Sequence, residues 1–183
     1  MILNSLDLIQ ITRDRIIVGF STLPTLYDWL NTIILILIYG LIALPLGFWS
    51  NFLQLNVQFS GTVAAKIIAT SLIAPAILEE LFFRVIILPL PSENVTVKIL
   101  LITSTISLIL FVIYHPVNGI TFFPSGKETF FNPVFLCLAT LLGLICTVSY
   151  LQSGSIWIPV TIHWIVVVIW LLFLGGREKL KML

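Results

Sequence analysis

The sequence predicts an all-α protein, a multi-pass bundle of transmembrane helices with a polar site between them. Two observations carry that expectation. Of the 183 residues, 59% are hydrophobic and only 9% are charged, against roughly 45–50% and 25% in soluble domains. The apolar residues are also gathered into five runs, each near the roughly 20 residues that a helical span needs. A segment in lipid must satisfy its own backbone hydrogen bonds, so these runs are helices and not isolated strands. The alternation of a membrane barrel is absent. A net charge of +1 points to no nucleic acid and to no acidic partner.

The first 30 residues are more polar than the rest and read as a segment lying on the membrane surface. "MILNSLDLIQITRDRIIVGF" carries Asp and Arg where the apolar core of a signal peptide would stand, so no cleavable signal is expected. The membrane-embedded domain then occupies 31–183. Its first span, Ile33–Trp49, is flanked by Trp29 and Trp49 at interface positions. The second, Thr62–Leu88, stops at Pro89–Pro91. The third, Lys98–His115, is expected to end at Pro116. Pro133–Leu151 and Ile156–Leu174 complete the set. The loop from Pro116 to Asn132 is rich in turn formers, keeps four phenylalanines, and reads as interfacial. Cys137 and Cys146 share one apolar run and suggest no disulfide framework. Ser153 and Ser155 flank Gly154 as turn and cap residues. Arg13 and Arg15 near one end, and Arg177, Lys179 and Lys181 near the other, would put both ends in the cytoplasm, whereas five spans would separate them.

The second span is the anomaly. In "LEELFFRVII" (Leu78–Ile87) two carboxylates and an arginine stand among apolar side chains alone. A mid-membrane charge costs about 2.5–3.5 kcal/mol on an insertion scale, so Glu79, Glu80 and Arg84 together cost roughly 8–10. The strongly apolar residues of Thr62–Leu88 return roughly 7. The run barely inserts alone and needs partners or a water-filled cavity. On a helix, Glu80 and Arg84 are four apart and can pair. Glu79 is rotated by about 100° and has no local cation. One acid is then held ionised and the other is poised for proton transfer. The structural alternative is an ion-pair cluster that only fixes packing.

The two histidines of the chain each sit in a different span. His115 closes the third in "FVIYHP", and His163 lies near the start of the fifth in "IPVTIHW". Convergence of Glu79, His115 and His163 on one polar cavity would suit amide hydrolysis. A poised carboxylate activates water and then protonates the leaving amine. An imidazole positions the water, and a second stabilises the oxyanion. Zinc is the alternative: Glu79 or Glu80 with His115 and His163 has the donor types of a two-His, one-carboxylate site, although no HExxH helix is present.

These motifs resemble the CPBP intramembrane proteases, which include the CAAX prenyl endopeptidases of the Ras-converting type and many bacterial proteins linked to bacteriocin self-immunity. "EELFFR" (Glu79–Arg84) matches the family's EExxxR and "FVIYH" (Phe111–His115) its FxxxH. "LLGLICTVSYLQSGSIWIPVTIHW" is similar to its small-residue helix, turn and histidine helix. The motif core covers about residues 75–170. The resemblance implies an intramembrane peptidase of glutamate type. Glu79 is then the base, His115 its aid in activating water, Glu80 and Arg84 supports, Phe111 a motif residue, and His163 part of the oxyanion hole. It implies no cofactor, with zinc on Glu79, His115 and His163 as the runner-up mechanism. Its partners are membrane lipid and a membrane-associated peptide or protein substrate, prenylated ones included, and the setting is a bacterial-type cell membrane.

The chain departs from the family at Val167, where the histidine motif usually continues to Asn or Asp one turn on. Valine donates no hydrogen bond. That departure motivates a rival expectation, an inactive binding or scaffold homologue. A small proton-coupled transporter is the third reading, weakened by the lack of a repeated half.

Overall fold

The structure, a computed structural model, describes residues 5–57 and 59–182. The first four residues of the N-terminal segment, together with Gln58 and Leu183, lie outside them. The described residues form an α-helical assembly whose only β pairing is an isolated bridge between Asn56 and Leu174. Helix α1 spans Ser5–Ser21, α2 Leu26–Trp49 and α3 Gly61–Ser71. The charged segment, Leu72–Ile86, follows. Then come α4 (Val97–Ile120), α5 (Pro133–Ser153) and α6 (Trp157–Phe173). Two short helices, Lys127–Phe130 and Gly176–Lys179, lie beside one another at one end.

Local chemistry sets the helix starts. Thr25 and Asp28 form a reciprocal capping box at α2. The side chains of Ser60, Thr96 and Asn132 accept from the first backbone N–H groups of α3, α4 and α5. Gly154, at φ 65°, ends α5 in the left-handed conformation that glycine adopts without strain.

Helices α2, α4 and α5 are long and apolar enough to cross a membrane, and α6 is shorter at 17 residues. Half of the apolar window of α5 is buried inside the protein, against 17% for α2 and 11% for α4. Helix α5 is therefore the central post, and α2, α4 and α6 pack around it. The outward faces of α2 and α4 carry exposed Leu and Ile that suit lipid. This is an integral membrane protein built as an all-α bundle.

Three segment boundaries differ from the sequence expectation. Helix α2 starts at Leu26, well before the expected Ile33, because Thr25 and Asp28 cap it there. The run Thr62–Leu88 is not one helix. It breaks at Ala74, whose φ −130° and ψ 117° are extended, because a residue preceding proline is driven out of the α region. Beyond Pro75 the helical winding resumes, through the single α turn Leu78–Glu80 and a wide π-type turn at Leu81–Ile86. In the third run, the helix continues through Pro116 to Ile120. Packing overrides the proline there: a Cβ on Gly119 would meet Phe130 at 3.1 Å, so the last turn lies tightly against Lys127–Phe130. That contact folds the phenylalanine-rich stretch back onto the bundle.

Candidate active site

The two glutamates lie on the one α turn between the break at Ala74 and the π-type turn, and both are buried. Interrupted helical winding of this kind recurs at functional sites. It also disturbs the backbone ladder, and the hydroxyl of Ser107 on α4 donates to the carbonyl of Phe83 inside the π-type turn.

Arg84 is wholly buried, as is Glu80. Its Nε lies 3.1 Å from Glu80 Oε2 at the expected spacing of four. The two are in ion-pair contact without the alignment of a hydrogen bond, since neither atom has a hydrogen-bond partner. Arg84 Nη2 donates to the carbonyl of Gly143 on α5 at 3.0 Å. The guanidinium stacks over the Phe111 ring, 4.4 Å from its centroid. Gly143 makes this possible by lacking a side chain: a Cβ there would stand 3.3 Å from Arg84 Nη2 and 3.0 Å from Phe111. Sequence reasoning missed Gly143. Its only trace is a glycine in the middle of an apolar helix.

His163 Nδ1 meets Glu80 Oε1 at 2.7 Å. The other face of the ring turns to Glu79, with Nε2 3.9 Å from Oε2, too long for a direct hydrogen bond. A chain of contacts thus runs Arg84, Glu80, His163, Glu79, and the last carboxylate oxygen is buried without a hydrogen bond to another residue.

His115 joins through Phe111, whose ring centroid lies 4.9 Å from that of His115 and 5.9 Å from that of His163. Phe111 is thereby the hub: it contacts Arg84 on one side and both imidazoles on others. Phe135 and Phe130 close over His115 at 5.2 and 6.1 Å. His115 Nδ1 faces the carbonyl of Phe111 at 2.8 Å. A carbonyl only accepts, so Nδ1 carries a proton, and in the neutral ring Nε2 is then bare. Exposure sorts these groups. Glu79 and His115 retain 8% each, while His163 keeps 2% and Glu80, Arg84 and Phe111 none.

Glu79, Glu80, Arg84, Phe111, His115 and His163 are therefore brought into one cluster drawn from the charged segment, α4 and α6. Val167 packs against the apolar cluster that contains Ile67, Phe130 and Leu171. Cys146 is a buried free thiol and Cys137 an exposed one. Among the described residues no three His, Cys, Asp or Glu side chains gather as a metal-ligand set. Glu79, His115 and His163 have the donor types for zinc.

Neither the curated proteins nor the solved structures contain a match to this chain. One family does match: its sequence model, described as type II CAAX prenyl endopeptidase Rce1-like, aligns with residues 60–169. The matched stretch takes in more than half of the chain and every residue of the cluster, so the chain belongs to the Rce1-like type II CAAX prenyl endopeptidase family, a family of membrane endopeptidases.

Proposed function

We propose that this protein is a glutamate-type intramembrane endopeptidase acting on membrane-associated peptides or proteins, with Glu79 as the general base. The observation that supports this most directly is the asymmetry of the two neighbouring carboxylates. Glu80 is spent on Arg84 and His163. Glu79 keeps a buried oxygen free of protein hydrogen bonds, beside an imidazole nitrogen.

Glu79 takes a proton from water, and the oxygen that remains attacks the scissile carbonyl carbon. The bare Nε2 of His115 accepts the other hydrogen bond of that water and orients it. Both groups retain a little exposure. The carbonyl oxygen becomes an oxyanion. The Nδ1 edge of His163 is held by Glu80, which leaves Nε2, on the Glu79 side, as the ring atom that meets that oxyanion when it carries a proton. Collapse of the intermediate breaks the C–N bond, and Glu79 returns its proton to the leaving amine. Arg84, Glu80 and Phe111 hold His163 in place and do not touch substrate.

The test uses the full chain in lipid vesicles with quenched fluorescent peptides, prenylated and unmodified. Cleavage that is lost in Glu79→Gln and retained with chelator is expected. Loss with chelator and recovery with zinc would replace the metal-free reading. Val167 favours one second reading, a binding homologue without turnover. A folded parent inert toward every peptide, beside an active Val167→Asn variant, would establish it.

A further inference from the structure

Helix α1 lies outside residues 60–169, and one face of its C-terminal half, from Arg15 to Thr22 just after the helix, is tied at both ends to elements that carry the site. At one end, Arg15 forms a two-pronged pair with Glu93, Nε to Oε1 and Nη2 to Oε2, each 2.7 Å. Its Nη1 donates to the carbonyls of Ile86 and Ile87, at 3.0 and 3.4 Å, where the charged segment ends. Glu93 Oε1 also accepts from the backbone N–H of Leu90 at 2.9 Å, so the whole exit of the segment is fastened. At the other end, the carbonyl of Gly19 accepts from Ile156 N at 3.0 Å. The carbonyl of Phe20 accepts from Trp157 Nε1 at 3.0 Å, and that of Thr22 accepts from Ser155 Oγ at 2.7 Å. These three partners lead directly into α6, which carries His163.

The face between the two ends fits the same function. Ile16 and Phe20 pack on the buried cluster of Val85, Leu88, Tyr150 and Ile156. Gly19 lets the backbones approach, because a Cβ there would lie 3.3 Å from Val85. Ile16, Gly19 and Phe20 follow helical spacing, so one face of α1 touches both segments at once. Within the site, Glu79 and Glu80 come from the first segment and His163 from the second. A contact of 2.7 Å between Glu80 and His163 requires the two to keep their relative position.

We propose that α1 is a strap that fixes the charged segment against the start of α6, with Arg15 its positioning residue. The catalytic consequence rests on the peptidase reading; the mechanical coupling does not. Charge-assisted, two-pronged bonds are strong and directional, and misplacement of catalytic groups by about 1 Å can cost on the order of 100-fold in rate.

The experiment is hydrogen exchange on the full chain in lipid nanodiscs, comparing the parent with Arg15→Gln and Trp157→Phe. Arg15→Gln should speed exchange roughly tenfold over 84–95 and also over 154–158, which Arg15 does not touch. Coupling is reciprocal, so Trp157→Phe should speed exchange over 86–90. The middle of α5 should not change in either variant. A response confined to the altered end overturns the strap. If Arg15→Gln fails to fold, Trp157→Phe carries the same test from the other end. In the cleavage assay, Arg15→Gln should lower kcat roughly tenfold with KM little changed, and Arg15→Lys should restore part of it. An unchanged kcat beside the two-way exchange response overturns the positioning role. A parent that cleaves nothing but shows that response removes the peptidase reading and leaves the strap standing.

Discussion

Arg84→Met tests the electrostatics of the site without touching the groups proposed to meet substrate. Methionine keeps much of the side-chain bulk and removes the charge. It strands Glu80, which has no exposure and faces Arg84 Nε at 3.1 Å. Breaking a buried pair by removing one partner costs about 3–5 kcal/mol. The lower end applies here for two reasons. His163 Nδ1 stays 2.7 Å from Glu80 Oε1. The Gly143 carbonyl is not orphaned either, because Thr147 Oγ donates to it at 2.8 Å. A loss of about 3 kcal/mol lowers Tm by roughly 6–12 °C for a chain of this size. Adding Glu80→Gln removes the stranded charge and keeps a side-chain oxygen for His163. The double variant should then recover to within about 1 kcal/mol of the parent, roughly 2–4 °C. Thermal unfolding in lipid nanodiscs, followed by helical circular dichroism, reads both values. A double variant as unstable as Arg84→Met would refute the reasoning, since the damage would then lie in lost packing over Phe111 and not in an uncompensated carboxylate.

Gly143→Val places a Cβ 2.7 Å from Leu108 and 3.0 Å from Phe111; overpacking should destabilise the protein by about 1–3 kcal/mol and reduce cleavage, as read by Tm and by the peptide assay. Val167→Asn supplies a donor one turn beyond His163, and the cleavage rate should rise by up to roughly 10²–10³; a rate that falls or stays level would argue against a missing oxyanion donor. Glu93 lies outside the spans. Burial pushes its carboxyl up, but the bond from Arg15 and the Leu90 N–H outweigh this and hold it below the ordinary 4.5. Its stabilising pair is therefore complete above about pH 4.5 and lost as the pH falls through the lowered value. The Tm difference between parent and Glu93→Gln should stay constant from neutral pH down to about 4.5 and close below it.

Much was legible in the sequence because it depends on composition and local spacing. The excess of apolar residues over charge, gathered in runs without the alternation of a barrel, dictated a helical membrane protein, since only helices and closed barrels satisfy the backbone in lipid. The spacing of Glu80 and Arg84 dictated their pairing, because residues four apart share a helix face. The motifs around Glu79, His115 and His163 were enough to suggest the family. The packing of Phe130 on His115 was not legible in the phenylalanine-rich stretch after Pro116.

Only the tertiary structure decided how these pieces meet. The break at Ala74 and the π-type turn reorient the two glutamates relative to a straight helix, and no local pattern fixes how far. Glu80 and His163 are 83 residues apart, and nothing in either neighbourhood announces the other. The same holds for Arg15 and Glu93, which are 78 residues apart. Gly143 matters only because Arg84 and Phe111 converge on it. Period and composition describe which face a residue occupies. Which face of another helix it meets depends on packing over the whole bundle, and that information is spread across the chain.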